Sequence, residues 1–358
     1  MKLKKKWKVV IALILIFIII LLTNIKIYSY QISCIDKNDK TDIVFTIRSG
    51  TSSKQIASNL EDSKLIHSKY FFMLYLKLNK INNLQASTYK LNRSMSVKEI
   101  AEVLSKGKGY NPDEITLTFK EGKGVRYIAK VIDKATNNSY DDVINKTNDN
   151  NYIEKLREKY WFIENDINKS GTFYKLEGYL FPNTYIFEGK DVTVEAIFDK
   201  MLNETNKILS NYKSEIESSS LSVRDIITMA SIVELEGVNY TDRQNIASVF
   251  NNRMKKGISL GSDVTACYAQ KIDDTALCHK NANFNYNSSY NTRLTSNLGL
   301  PTGPICNPGE ESIKAVLNAP TTDYLYFVAD KNTKTYFFKT KSEFDAKIKE
   351  LKKNGDWL

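Results

Sequence analysis

Ser222 Val223 Arg224 Asp225 Ile226 Ile227 Thr228 Met229 Ala230 Ser231 Ile232 Val233 Glu234 Leu235 Glu236 Gly237 reads as a single helix with one residue out of character. Ser222 supplies an N-cap with Asp225 three residues on, and Gly237 supplies the stop. Counting back by three, four, seven and eight from Glu234 reaches Ser231, Ala230, Ile227 and Ile226. Its carboxyl therefore shares the apolar face and points inward. Glu236 lies about 200° round the axis, over Met229 and Ile232 but also near Asp225 and Thr228, a more mixed face that makes it the weaker candidate for the acid. A carboxyl held against aliphatic side chains has its charged form desolvated, which keeps a proton available near neutral pH, as a general acid requires. The ordinary alternative for Glu234 is a buried glutamate paired with a basic side chain.

The amino-terminal end carries Lys2, Lys4, Lys5, Lys6 and Lys8, followed by an apolar run from Val9 to Leu22. Trp7 before it and Ile25 and Ile27 after it extend the run towards the roughly 20 residues that cross a bilayer. The stretch from Leu22 to Tyr30 holds no small-x-small cleavage site, so an uncleaved anchor is expected rather than a signal peptide. The lysines put that end in the cytoplasm and the remaining roughly 330 residues outside, enough for two or three domains. A hydrophobic content of 42% argues for folded cores. The net charge of +10 comes from scattered lysines, so nucleic acid is not the expected partner. An anionic extracellular polymer or the membrane surface fits better.

The two histidines, His67 and His279, are far apart and leave little material for a Ser-His-Asp triad or a multi-histidine metal site. Of Cys34, Cys267, Cys278 and Cys306, Cys267 and Cys278 close a short polar loop and form the expected disulfide in an oxidising compartment. A zinc set of Cys267, Cys278, His279 and Cys306 is the alternative, but it lacks a C-x2-C pair.

After a polar linker, Ile43 to Ile47 reads as a strand, followed by helical patterns through Leu65 and from Tyr70 to Leu78, a strand at Thr88 to Leu91 and a helix from Ser96 to Leu104 ending at Gly107. This order suggests a small α+β module that resembles a LysM-like unit, a glycan-binding scaffold, with a plain spacer as the alternative. Ile115 to Phe119 is the next strand and Val125 to Lys134 the next helix. Leu176 to Tyr185 mixes aromatic residues, turn formers and Glu177 in a way that suits a sugar-binding wall or a core-edge hairpin. Thr241 to Lys256 is an amphipathic helix. The segments Gly261 to Thr265, Tyr290 to Arg293 and Gly299 to Gly309 read as polar loops, and a hairpin (324–338) and a last helix (342–352) come after them.

Leu176 to Tyr185, Ser231 Ile232 Val233 Glu234 with Glu236, Ser248 to Arg253, Ser262 Asp263 with Thr265, Tyr290 Asn291 Thr292, Gly299 to Gly309 and Tyr324 to Ala329 occur in one order. In that order they resemble the MltG/YceG-like endolytic murein transglycosylases. The resemblance implies a bacterial, single-pass enzyme that cleaves the β-1,4 bond between N-acetylmuramic acid and N-acetylglucosamine in nascent peptidoglycan, leaving 1,6-anhydromuramic ends. It implies Glu234 as the essential acid. Val264 and Thr302 stand where the family usually has Pro, and Phe344 where it has His.

The expected organisation is α+β: a cytoplasmic tail (1–8), a transmembrane anchor (9–28), a linker (29–40), a LysM-like module (41–110), a connecting α+β region (111–170) and a YceG-like catalytic domain (171–358). Candidates for holding or orienting the sugars are Glu177, Glu236, Ser262, Asp263, Thr265, Tyr290, Asn291, Thr292 and Asn307; the alternative for each is a loop-fixing hydrogen bond. No cofactor or metal is expected. The expected partners are peptidoglycan strands and cell-wall synthesis enzymes. Two rivals remain: a muramidase using Asp263, Glu177 or Glu236 as second carboxylate, and a wall-binding scaffold without catalysis.

Overall fold

The computed structural model describes residues 5–107, 109–111 and 113–357, so the expected tail lysines Lys2 and Lys4 lie outside the described residues. The chain forms two compact units, Met1–Glu114 and Ile115–Leu358. Helices and sheets are mixed in both, as the α+β expectation required.

In the first unit the order is α1 (Lys5–Gln31), β1 (Ile43–Ile47), α2 (Ser53–Asp62), α3 (Lys69–Leu78), β2 (Ser87–Leu91) and α4 (Val97–Lys106). Within α1, Val9–Gln31 is apolar and long enough to cross a membrane. β1 and β2 pair antiparallel with Phe45 opposite Tyr89. Alternate strand residues and the inner faces of the helices share one core: Phe45, Ile47, Ile56, Leu60, Phe72, Tyr89, Ile100 and Leu104. α4 is started by a full capping box between Ser96 and Glu99 and stopped by Gly107 at positive φ. The expected linker is not free: Ile32 packs against this core and its carbonyl accepts from the Val97 amide.

The second unit contains β3 (Ile115–Thr118), α5 (Val125–Ala135), α6 (Tyr140–Asn148), α7 (Asn150–Lys159), a 3-10 turn at Asn165–Asn168, β4 (Thr184–Phe187), α8 (Val194–Asn211), α9 (Lys213–Ser218) and α10 (Val223–Glu236). It continues with α11 (Tyr240–Lys255), α12 (Asp263–Ala269), α13 (Thr275–Asn281), α14 (Glu310–Leu317), β5 (Tyr326–Ala329), β6 (Thr335–Phe338) and α15 (Lys341–Asn354). β3 pairs antiparallel with β4, and β5 with β6. One core runs from Leu117 to Val316, so the segment expected as a separate connecting region folds together with the expected catalytic domain.

α10 is the centre of this unit. Ile226, Ile227, Met229, Ala230, Ile232 and Val233 are all buried, so the helix is enclosed on every side rather than amphipathic. α11 and α14 pack on it. Gly178 shows how closely the chain approaches: its φ is +86°, and a Cβ there would stand 2.6 Å from Pro304 Cβ and 2.7 Å from Ile227 Cγ2. Only glycine meets both demands. The loop to Gly309 is thereby laid along α10 and stitched to it, the Ile305 amide donating to Ser231 Oγ at 3.0 Å.

Candidate active site

The last turn of α10 presents Glu234 and Glu236 to different surroundings. Glu234 meets donors: Ser312 Oγ at 2.6 Å, the Gly309 amide at 3.1 Å and Arg243 Nη2 at 3.3 Å. Gly309 is the N-cap of α14, so the carboxylate also sits at the positive end of that helix. Arg243 reaches on to Glu311 at 2.8 Å. Gly237 leaves the room for this, since a Cβ there would lie 2.5 Å from Arg243 Cγ. The aliphatic setting expected for Glu234 is therefore replaced by its alternative, a buried carboxylate paired with a base. A helical wheel counts only a residue's own helix, whereas these donors come from α11 and α14.

Glu236, the final residue of α10, is half-buried and takes one hydrogen bond, from Ser262 Oγ at 2.7 Å. Burial pushes its carboxyl up to about 7; the Ser262 hydroxyl acts against that and the negative Asp263 adds to it. Asp263 itself is ion-paired with Arg293 and half-buried. Ser262 is placed from below. Its amide donates to Thr292 Oγ1 at 3.2 Å, the Gly261 amide to the Thr292 carbonyl at 2.8 Å, and the Thr265 and Thr292 hydroxyls meet at 2.8 Å.

The other expected sugar contacts face inward. Glu177, 1% exposed, accepts from the Val125 amide at 2.9 Å, Tyr268 OH at 2.9 Å and Asn307 Nδ2 at 3.3 Å, and burial pushes its carboxyl up to about 7. Asn307 also accepts from the Leu180 amide and donates to the Lys123 carbonyl. Tyr290 is fully buried between the rings of Phe173 and Tyr268, with centroids at 4.7 and 4.9 Å. Asn291 caps the carbonyls of Phe284 and Tyr286. Thr265 and Thr292 are equally enclosed. These six residues fix loops instead of offering a surface to a sugar. The aromatic wall expected at 176–185 is likewise core, with Leu176, Tyr179, Leu180 and Phe181 buried. Only Glu236 and Asp263, with Ser262 between them, keep the character of an open site.

Sequence reasoning missed Arg243, Ser312, Tyr268 and Arg293. Arg243 left one local hint: it is a base in the first turn of α11, where the helix dipole favours acids. Cys267 and Cys278 are joined as a disulfide that ties α12 to α13, with a Cα separation of 5.6 Å. Cys306 is free and buried, its thiol donating to the Ser231 carbonyl at 3.2 Å. The alternative zinc set thus has its sulfurs otherwise engaged.

The residues that depart from the family pattern have local partners. Val264 sits in the first turn of α12, where backbone amides have no intrahelical acceptor and Pro is equally tolerated. Thr302 Oγ1 donates to the Ser170 carbonyl at 3.1 Å, and Phe344 packs on Tyr326 and Phe338.

Comparison with known proteins gives a consistent result. The model of the YceG-like family matches residues 45–350. A Bacillus subtilis protein named endolytic murein transglycosylase is 37% identical over 88% of this chain and 86% of its own length. A Streptococcus pneumoniae protein of the same name is 32% identical over 88% of this chain, which spans 59% of that relative. A 2.6 Å crystal structure of a YceG-like protein from Listeria monocytogenes superposes with a TM-score of 0.60 at 35% identity, covering 86% of this chain and 99% of that one. With a family model matching most of its length and relatives above 30% identity, the chain belongs to the YceG-like family.

Proposed function

We propose that this protein is an endolytic murein transglycosylase in which Glu236 is the proton donor and Glu234 holds the start of α14 in place. The names of the Bacillus and pneumococcal relatives support the reaction class. One contrast between the two glutamates carries the assignment. Glu234 is tied up by a guanidinium and two further donors; Glu236 faces one hydroxyl and a carboxylate, and is pushed up to about 7. An acid that must hold a proton near neutral pH matches the second.

In this reading Glu236 protonates the bridging oxygen as the bond from muramic acid C1 breaks through an oxocarbenium-like state. The resulting carboxylate then takes the proton of the same sugar's C6 hydroxyl, which attacks C1 and closes the 1,6-anhydro ring. One carboxyl serves both steps, and no water enters the products. Asp263, the nearest second carboxylate for a muramidase, is engaged by Arg293, which argues against that rival.

We further propose that α1 anchors the chain with its amino-terminal end in the cytoplasm and both units outside, beside the cell-wall synthesis enzymes. In this arrangement residues 41–110 form a LysM-like module and the catalytic unit starts at Ile115.

Glu236→Gln should lower release of muropeptides from sacculi by about 10²–10⁴-fold. Glu234→Gln should lose less activity and more melting temperature. Near wild-type cleavage by folded Glu236→Gln would remove the assignment. Digestion in water enriched in heavy oxygen should yield unlabelled anhydro ends; labelled reducing ends would favour the muramidase.

A further inference from the structure

α3 carries an exposed apolar stripe that its own fold does not use. Phe72 and Leu76 face the core of the first unit, while Tyr70, Leu74 and Leu78, at helical spacing on another side, are 75%, 41% and 62% exposed. Lys77 and Lys80 flank the stripe and are exposed, and the helix itself has no acidic residue.

The way α1 enters this unit says what lies against the stripe. Tyr28 packs on Phe71 with ring centroids at 6.1 Å, and Tyr30 stacks on His67 at 4.7 Å. His67 bonds the Cys34 carbonyl at 3.3 Å, and the Val97 amide bonds the Ile32 carbonyl at 3.1 Å. The end of the apolar helix is thus fastened to the start of α3. A span beginning at Val9 crosses the roughly 30 Å of hydrocarbon by about Tyr28, which puts that ring at the membrane-water boundary. Leu74 is three residues beyond Phe71 and Leu78 seven. A helix pointing straight away from the bilayer would hold Leu74 about 4.5 Å farther out, inside a headgroup layer of roughly 5–8 Å, and Leu78 about 10.5 Å out, just past it; any tilt of α3 towards the surface brings Leu78 inside as well.

We propose that α3 lies on the outer surface of the bilayer, with Tyr70, Leu74 and Leu78 in the headgroup layer and Lys77 and Lys80 on anionic lipid. The inference rests on the anchor reading of α1. Tyrosine and leucine beside lysine is the composition of an interfacial helix, and burying this stripe removes apolar surface that the fold leaves in water. The contact would hold the first unit close to the membrane on which new glycan strands are built.

The test uses the full chain in vesicles of phosphatidylethanolamine and phosphatidylglycerol, with a photo-reactive phenylalanine derivative in place of Phe17, Leu74 or Leu78. Lipid adducts from all three positions, well above a detergent-only background, are expected. Adducts from position 17 alone would overturn the inference and leave the anchor standing. Adducts from none would remove the anchor reading with it. Adducts from 74 and 78 to a second copy of the chain would assign the stripe to self-association and overturn the lipid contact.

Discussion

Glu234 and Glu236 leave the axis of α10 in nearly opposite directions, because two residues advance a helix by about 200°. One is fixed by Arg243, Ser312 and Gly309, the other by Ser262. The raised carboxyl of Glu236 has two consequences with definite signs. With Glu236 as the proposed acid, its protonated form is the active one, so kcat/KM should fall as pH rises through about 7. Its charged form is penalised in the fold, so its contribution to stability is intact below the ordinary value of 4.5 and is lost as pH rises from there through about 7. Glu236→Gln should therefore melt higher than wild type at pH 8 and match it at pH 4. An equal difference at both pH values would contradict the raised carboxyl. From sequence, the Ser231 to Glu236 block was legible as the candidate site, but the different surroundings of its two glutamates were not, since Ser262, Gly309 and Ser312 come from elsewhere in the chain.

Elements around the site act as clamps. The loop before α14 is held by Gly178, Ser231, Glu234 and Asn307, and the N-terminal end of α12, which carries the Ser262 contact to Glu236, by Thr292, so the two segments are positioned by separate sets of contacts. Gly178→Ala should disturb the loop before α14. A side chain in the left-handed region costs about 1–2 kcal/mol, and its overlap with Pro304 and Ile227 adds about 1–3 kcal/mol. The melting temperature should fall by on the order of 10 °C for a unit of this size. An unchanged melting curve would mean that Pro304 moves aside freely. The helix frames of α4, α10 and α11 were readable from caps and spacing. α12 was expected as loop, because a seven-residue helix with a buried Ser-Asp start has neither the length nor the amphipathic stripe that marks a helix in sequence.

The two units have separate cores, one built on Phe45, Leu60, Tyr89 and Ile100 and the other around α10. Leu60 is fully buried in the first. Leu60→Ala should cost about 2–5 kcal/mol and lower the calorimetric transition of the first unit alone. Cleavage of soluble glycan fragments should persist at temperatures where only that unit has melted. A single transition shifting as a whole would show that the cores are coupled.

By itself the sequence determined the apolar span of α1, the strand and helix order of the first unit and the frames of α10 and α11, since these depend on neighbours within a few turns. Tertiary structure alone decided which glutamate is paired with Arg243 and which faces Ser262. It also decided that Glu177, Tyr290, Asn291, Thr292, Thr265 and Asn307 point inward, and that the residues after α1 dock instead of linking. The physical reason is common to all of them. A side chain's charge state and exposure are set by the groups packed against it, and here those groups lie as much as 184 residues away along the chain, as between Asn307 and Lys123.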